Sequence, residues 1–161
     1  MKKHTLAVTV ENQPGVLTRV TTLFRRRGYN IESLAVGETE NPAISRITIV
    51  VRGDEKILEQ VTKQLYKLVD VIKIVDITED RSVQRELVLI KVKADNNVRA
   101  DIVQIVDIFR ARIVDIGKNS LIIEVTGDGG KIDAMVESLK PFGILEMVRT
   151  GVIAMVRGEI K

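Results

Sequence analysis

One local pattern occurs twice in this chain, and the repeat sets the size of the folding unit. Gly53-Asp54 precede Lys56, Ile57 and Val61, and Gly127-Asp128 precede Lys131, Ile132 and Val136. Each copy follows a β-branched run and opens an apolar-striped helix, and the offset between them is about one small domain. A chain of 161 residues accommodates two such units. The repeat therefore predicts a pair of domains of about 75 residues each.

Within each unit the elements follow from periodicity. Leu6, Val8 and Val10 alternate with Thr5, Ala7 and Thr9, which predicts a strand buried on one face. Leu17, Val20, Leu23 and Phe24 recur at helical spacing up to Gly28, a C-terminal stop. Strands are expected over 31–36 and 44–51, with a polar turn at 38–42 between them. Asp54 caps a helix whose apolar face is Ile57, Leu58, Val61, Leu65 and Leu68. The run 69–77 is almost continuously apolar and β-branched, the mark of a strand that is central or covered on both faces. That completes the order βαββαβ.

Residues 78–84, TEDRSVQ, are polar and aperiodic and read as a linker. The order then repeats. A strand over 87–92 leads to a capping cluster, Asp95-Asn96-Asn97, and to the helical stripe Val98, Ile102, Ile105, Val106 and Phe109. Strands over 113–116 and 121–125 are joined by GKNS, a hairpin signal. Gly127-Asp128 opens the last helix, and one or two closing strands follow over 144–148 and 152–156, bent at Gly151. The expected fold class is α+β: two tandem βαββαβ ferredoxin-like domains, 1–79 and 80–161. Units this small bury a thin core and leave sheet edges to cover, so pairing between domains or subunits is expected.

The sequence excludes much chemistry. There is no Cys and a single His, His4, so thiolate sites, disulfides and cysteine nucleophiles are impossible. One imidazole makes neither a catalytic triad nor a metal site, and His4 itself reads as a terminal polar residue. Glu32, Glu38, Glu40, Asp54, Glu79 and Asp80 fall in turns, at caps or on outer faces rather than as an acid–base pair. No phosphate loop or GxGxxG follows a strand. No catalytic or metal-binding residue is therefore expected.

The aromatics Phe24, Tyr29, Tyr66, Phe109 and Phe142 offer no stacking pair inside a strand, which argues against an RNA-recognition module. A formal net charge of +3, from 25 basic and 22 acidic residues, gives little electrostatic ground for nucleic acid of any kind. The densest basic run, Arg25-Arg26-Arg27, falls where a helix ends and complements its dipole. No apolar run approaches about 20 residues, so no membrane span is expected. MKKHTLAVTV reads as a first strand rather than a secretion signal, and a cytoplasmic location is expected.

The stretch with the most local character is ENQPGVL at 11–17, answered by GYNIES at 28–33. Asn12 is placed to cap the helix that follows, and Pro14 sits where a missing N–H has no consequence. Gly15, expected in the first helical turn with ordinary helical dihedrals, lets a ligand approach the backbone. A helix start presents unpaired N–H groups and the positive end of the macrodipole, which suits a carboxylate. The same residues also describe an ordinary strand-to-helix turn.

ENQPGVLTRV, LFRRRGYNIESL, ISRITI, GDEKILEQVTKQLYKLVDV, RELVLIKV and GKIDAM together resemble the small regulatory subunit of acetolactate synthase (acetohydroxyacid synthase). The resemblance covers essentially the whole chain and is more distinctive in its first half. It implies that this half is an ACT domain, an amino-acid-sensing βαββαβ unit that forms a homodimer about a two-fold axis with the effector in the interface. It implies a chain with no chemistry or cofactor of its own. The implied partner is the large catalytic subunit, which carries thiamine diphosphate, FAD and Mg²⁺. The small subunit activates that partner and makes it sensitive to feedback inhibition by valine, in branched-chain amino-acid biosynthesis.

The effector site implied by the resemblance comprises Asn12, Gly15, Val16 and Leu17 at the helix start, completed by Asn30 and Ile31 of a second copy. On that placement the helix amides hold the effector carboxylate. The Asn12 or Asn30 oxygen, or a strand carbonyl, accepts from the ammonium. Val16, Leu17 and Ile31 wall a branched aliphatic side chain, whether of valine, leucine or isoleucine. The alternative is a stand-alone amino-acid-sensing ACT protein acting on another partner. A DNA-reading version would need a helix-turn-helix, for which two βαββαβ units leave no spare helix.

Overall fold

The computed structural model describes residues 2–158, which form two compact units. In the first, β1 (Lys2–Glu11), α1 (Val16–Arg26), β2 (Ile31–Glu38), β3 (Ile44–Gly53), α2 (Glu55–Tyr66) and β4 (Val71–Asp76) follow in the expected order. The strands form one antiparallel sheet in the order β2-β3-β1-β4. Leu6, Val8 and Val10 of β1 and Ile47, Ile49 and Val51 of β3 face Val16, Val20 and Phe24 of α1 and Leu58, Val61 and Leu65 of α2.

Both helix ends read from the sequence have physical counterparts. Asp54 accepts a hydrogen bond from the Ile57 amide at 2.9 Å and caps α2. At the end of α1, Gly28 has φ +73°, and its amide donates to Arg25 O while the Tyr29 amide donates to Phe24 O. This pair of bonds is a Schellman stop, which needs the left-handed residue that glycine supplies.

Three expectations for the first unit are corrected. β1 is buried on both faces: Thr5 and Ala7 are covered as well as Leu6 and Val8, and so is Thr48 across from Ala7. The outer face carries small side chains, and the segment from Val152 lies along it. Val152 donates its amide to Ser33 Oγ at 2.8 Å, and Ala154 O accepts from Arg46 Nη2 at 2.8 Å. Second, the run 69–77 is neither central nor doubly covered. β4 is an edge strand, with Val69 in the turn before it 91% exposed, because Asp70, Lys73 and Asp76 interrupt the apolar run. Third, His4 is buried on the core side of β1, its Nε2 2.9 Å from Gly53 O. The period-2 alternation counted back from Leu6 places it there.

The second unit holds most of β5 (Ser82–Lys93), then α3 (Arg99–Ile108), β6 (Arg112–Ile116), β7 (Ser120–Gly127), α4 (Gly129–Leu139), a 3-10 turn (Lys140–Phe142) and β8 (Ile144–Arg149). Its strands run antiparallel in the order β6-β7-β5-β8. Val88, Ile90 and Val92, with Leu121, Ile123 and Val125, pack on Ile102 and Val106 of α3 and Ile132, Met135 and Leu139 of α4. Asp128 caps α4 through the Lys131 amide at 2.9 Å, as Asp54 caps α2. The Asp95 cluster does not cap α3. Asp95 Oδ1 takes the Asn97 amide in a turn, and the helix starts after Val98 with no side-chain cap.

The compact units divide between Val83 and Gln84. The first unit also takes up the segment from Val152. β9 (Ile153–Val156) is thus outside the main strand path of the second sheet, and the Arg157 amide donates to Arg81 O at 2.9 Å.

Candidate functional site

The loop from β1 into α1 is tied down by backbone bonds on either side. The Glu11 amide donates to Asp70 O at 2.9 Å and the Asn12 amide to Ala43 O at 2.8 Å. The helix proper starts at Val16, with Gly15 as the residue before it, at φ +82° and ψ −6°. Gly15 is therefore left-handed, not helical as expected. No side chain caps α1. Val16 N–H reaches Gln13 O at 3.3 Å, whereas the amides of Gly15, Leu17 and Thr18 have no acceptor among the described residues. Unpaired amides clustered at a helix N-terminus suit one anionic group.

Asn12 does not cap the helix. Its Nδ2 donates to Pro42 O at 2.9 Å and to Glu38 Oε1 at 3.3 Å. With the amide oriented this way, Oδ1 has no donor among the described residues and is open to an ammonium. The Glu38 carboxylate beside it was missed as a site residue. Only the strand order could reveal it, since the end of β2 comes next to the end of β1 across the start of β3.

A second unpredicted element is Arg19. Its Nε and Nη2 lie 2.8 and 2.6 Å from Asp70 Oδ2, and this pair ties α1 to the turn before β4. A Cβ on Gly15 would lie 3.1 Å from Arg19 Nη1. The side chain missing at Gly15 thus leaves room for this guanidinium beside the helix start.

The apolar wall is smaller than expected. Leu17 is 40% exposed and available to a ligand, but Val16 is 4% exposed and belongs to the core, so it brings only backbone to the loop. Ile31 is half-buried against the core at the start of β2, and Asn30 is exposed beside it. Between Ile31 and Ser33 the register shifts, as at a bulge. Glu32 at that shift pairs with Lys3 at 3.3 Å and with Arg52. Burial pushes the Glu32 carboxyl up, but hydrogen bonds from Arg52 and Lys3 outweigh this and hold it below its ordinary 4.5.

One copy of the chain does not bring the two segments together. Ile31 pairs with Val51 at one end of the β2–β3 ladder and Glu38 with Ser45 at the other. They are seven residue steps apart along β2, so Asn30 and Ile31 lie roughly 23 Å from Glu38 and its neighbour Asn12. Among the described residues, no group of three or more His, Asp or Glu side chains is arranged to hold a metal ion, and no helix is long and apolar enough to cross a membrane.

Comparison with known proteins identifies the family. Residues 6–73 match the AHAS small subunit-like ACT domain family, and residues 85–158 match the family described as the small subunit of acetolactate synthase. A protein of Archaeoglobus fulgidus, described as a probable acetolactate synthase small subunit, is 58% identical over 99% of both chains. The acetolactate synthase small subunit of Mycobacterium leprae is 54% identical over 96% of this chain and 92% of its own. The crystal structure of the acetolactate synthase small subunit from Thermotoga maritima superposes with a TM-score of 0.90 at 42% identity, covering 99% of this chain and all of that one. By sequence and by fold alike, the chain belongs to the family of acetolactate synthase small subunits, and its first domain is an ACT domain.

Proposed function

We propose that this chain is the regulatory subunit of acetolactate synthase. It binds a large catalytic subunit in the cytoplasm, raises its activity, and makes it responsive to valine or a related branched-chain amino acid. The observation that carries the effector reading is the uncapped start of α1, where Gly15, Leu17 and Thr18 leave three amides without acceptors. Those amides take the carboxylate of the amino acid. Asn12 Oδ1 and the Glu38 carboxylate, side by side at the same loop, take its ammonium. Leu17 and, from a second copy, Ile31 enclose its aliphatic side chain.

The second copy enters for a geometric reason. β2 is an edge strand with one unpaired flank and an exposed Val36, a state that proteins rarely leave open. Antiparallel pairing of two β2 edges about a two-fold axis sets the Glu38 end of one strand against the Ile31 end of the other. Asn30 and Ile31 of one copy then face Asn12 and Glu38 of its mate, and two sites form per dimer. Thiamine diphosphate, FAD and Mg²⁺ are assigned to the catalytic partner. The sequence has no loop for a diphosphate. The isolated chain is accordingly expected to form no acetolactate.

Asn12→Ala tests the reading. The side chain is exposed and its loss leaves the core intact, so the fold survives. Losing one acceptor for a charged donor is worth about 1.5 kcal/mol, and the inhibitory valine concentration should rise about tenfold. Valine titrations of the reconstituted enzyme decide; an unchanged inhibition curve would remove Asn12 from the site.

A further inference from the structure

The basic run Arg25-Arg26-Arg27 has no part in the effector site. Arg26 and Arg27 line a groove of about 370 Å³ along the flank of α1 and the end of α2, together with Arg19 and Lys67. No carboxylate lines it, and Leu23 and Leu68 supply its apolar surface. Arg19 is paired with Asp70, whereas Arg26, Arg27 and Lys67 have no ion pair or hydrogen bond from their side chains among the described residues.

Complementing helix dipoles does not account for this charge. The C-termini of α1 and α2 carry together about one negative charge, and the start of α1 opposes part of it. Three unpaired cations exceed that. Lining residues run from Thr18 on α1 to Arg27 just past its end, about 13 Å along the axis. A single carboxylate or phosphate covers a fraction of that length, whereas about four residues of extended chain span it.

We infer that the α1–α2 groove is the docking surface for the catalytic subunit, and that it takes a carboxylate-rich segment of that partner, with Leu23 and Leu68 receiving an apolar residue within it. This rests on the proposed role as a regulatory subunit.

The test uses the full chain and its cognate catalytic subunit. Affinity is measured at low and moderate salt for the parent, for the triple variant Arg26→Glu/Arg27→Glu/Lys67→Glu, and for Arg25→Glu. Arg25 is a neighbouring cation on the same helix that does not line the groove. Valine uptake by each full chain alone is measured in parallel.

The triple variant is expected to bind the catalytic subunit at least tenfold more weakly and with a shallower salt dependence, while taking up valine like the parent. Arg25→Glu is expected to keep the parental affinity within about twofold. A triple variant that binds the catalytic subunit like the parent overturns the docking surface and leaves the regulatory role standing. An equal loss in Arg25→Glu overturns it too, since net charge and not the groove is then read. A parent that does not bind the catalytic subunit overturns both readings. Inorganic triphosphate that binds the parent but not the triple variant, with subunit affinity unchanged, overturns it in favour of a small polyanion. A variant that alters only self-association overturns it in favour of a second copy.

Discussion

The two domains each pass from their first strand into their first helix through a loop in the same topological position, and the two loops differ in where a nearby arginine is held. Before α1 the loop is open: no side chain caps it and the amides of Gly15, Leu17 and Thr18 await an acceptor. Before α3 the loop is plugged. Arg99 sends its guanidinium back into it, donating to the carbonyls of Ala94 at 3.1 Å, Gly117 at 2.6 Å and Lys118 at 2.8 Å. The remaining helix of each domain starts alike, on Asp54 and Asp128, with the capping bond at 2.9 Å in both. Neither α1 nor α3 is capped by a side chain, and among the described residues the amides of Arg99, Ala100 and Asp101 lack acceptors as those of Gly15, Leu17 and Thr18 do. What differs is the arginine: Arg99 is held across its loop by three carbonyls, whereas Arg19 beside α1 is drawn to Asp70.

The largest effect expected from this contrast is on stability, at the sealed loop. Arg99→Ala removes three charge-assisted bonds and leaves their carbonyls to water. Allowing for partial exposure, the second domain should lose about 3 kcal/mol in urea unfolding, with no change in valine affinity. A loss below about 1 kcal/mol would mean that the plug is ornamental and the contrast between the loops is weaker than it looks.

A smaller effect is expected at the open loop. Gly15→Ala forces a side chain into a left-handed conformation, which is worth about 1–2 kcal/mol, and sets its Cβ 3.1 Å from Arg19 Nη1. Both stability and valine sensitivity should fall together. For the same reason Gly15→Asp does not probe charge alone, because strain accompanies the added carboxylate. If Gly15→Ala is as stable as the parent, the conformation assigned to this loop is wrong.

Most of the framework was legible because local rules and tertiary structure agree. Gly28 had to be a stop, Asp54 and Asp128 had to be caps, and alternation at Leu6, Val8 and Val10 had to face a core. What stayed hidden depends on contacts distant in sequence. The outer face of β1 reads as solvated because Thr5, Ala7 and Thr9 are small and partly polar; Thr5 and Ala7 are nevertheless buried, and the segment from Val152 bonds to β2 and β3 of the same sheet. β4 looked central because apolar content was read without the charges that set it at an edge. Around the proposed site, Asn12, Gly15 and Leu17 are suggested by the helix start alone. Glu38 and Arg19 are not, since strand order and the Asp70 pairing place them there. Val16 was misjudged because a helix start offers backbone outward while its apolar side chain turns into the core.

The smallest expected effect concerns pH, at the other end of β2. Glu32 has its carboxyl held below 4.5 in the folded chain. Its contribution to stability is therefore complete above that value and is lost as pH falls through the lower, folded-state value. Acid unfolding of the parent should show this loss, and Glu32→Gln should flatten it by a fraction of the total, since the pair is partly exposed. An identical pH dependence in the variant would remove Glu32 from the account.

The contrast between the open and sealed loops is tested most directly by following backbone amides of the ¹⁵N-labelled chain during a valine titration. The amides of Gly15, Leu17 and Thr18 are predicted to shift downfield as they gain an acceptor, with Asn30 and Ile31 responding in step. Residues 95–99 of the sealed loop are predicted to stay in place. Saturable valine binding that leaves the first three amides unmoved would contradict the assignment of the helix start as the carboxylate site.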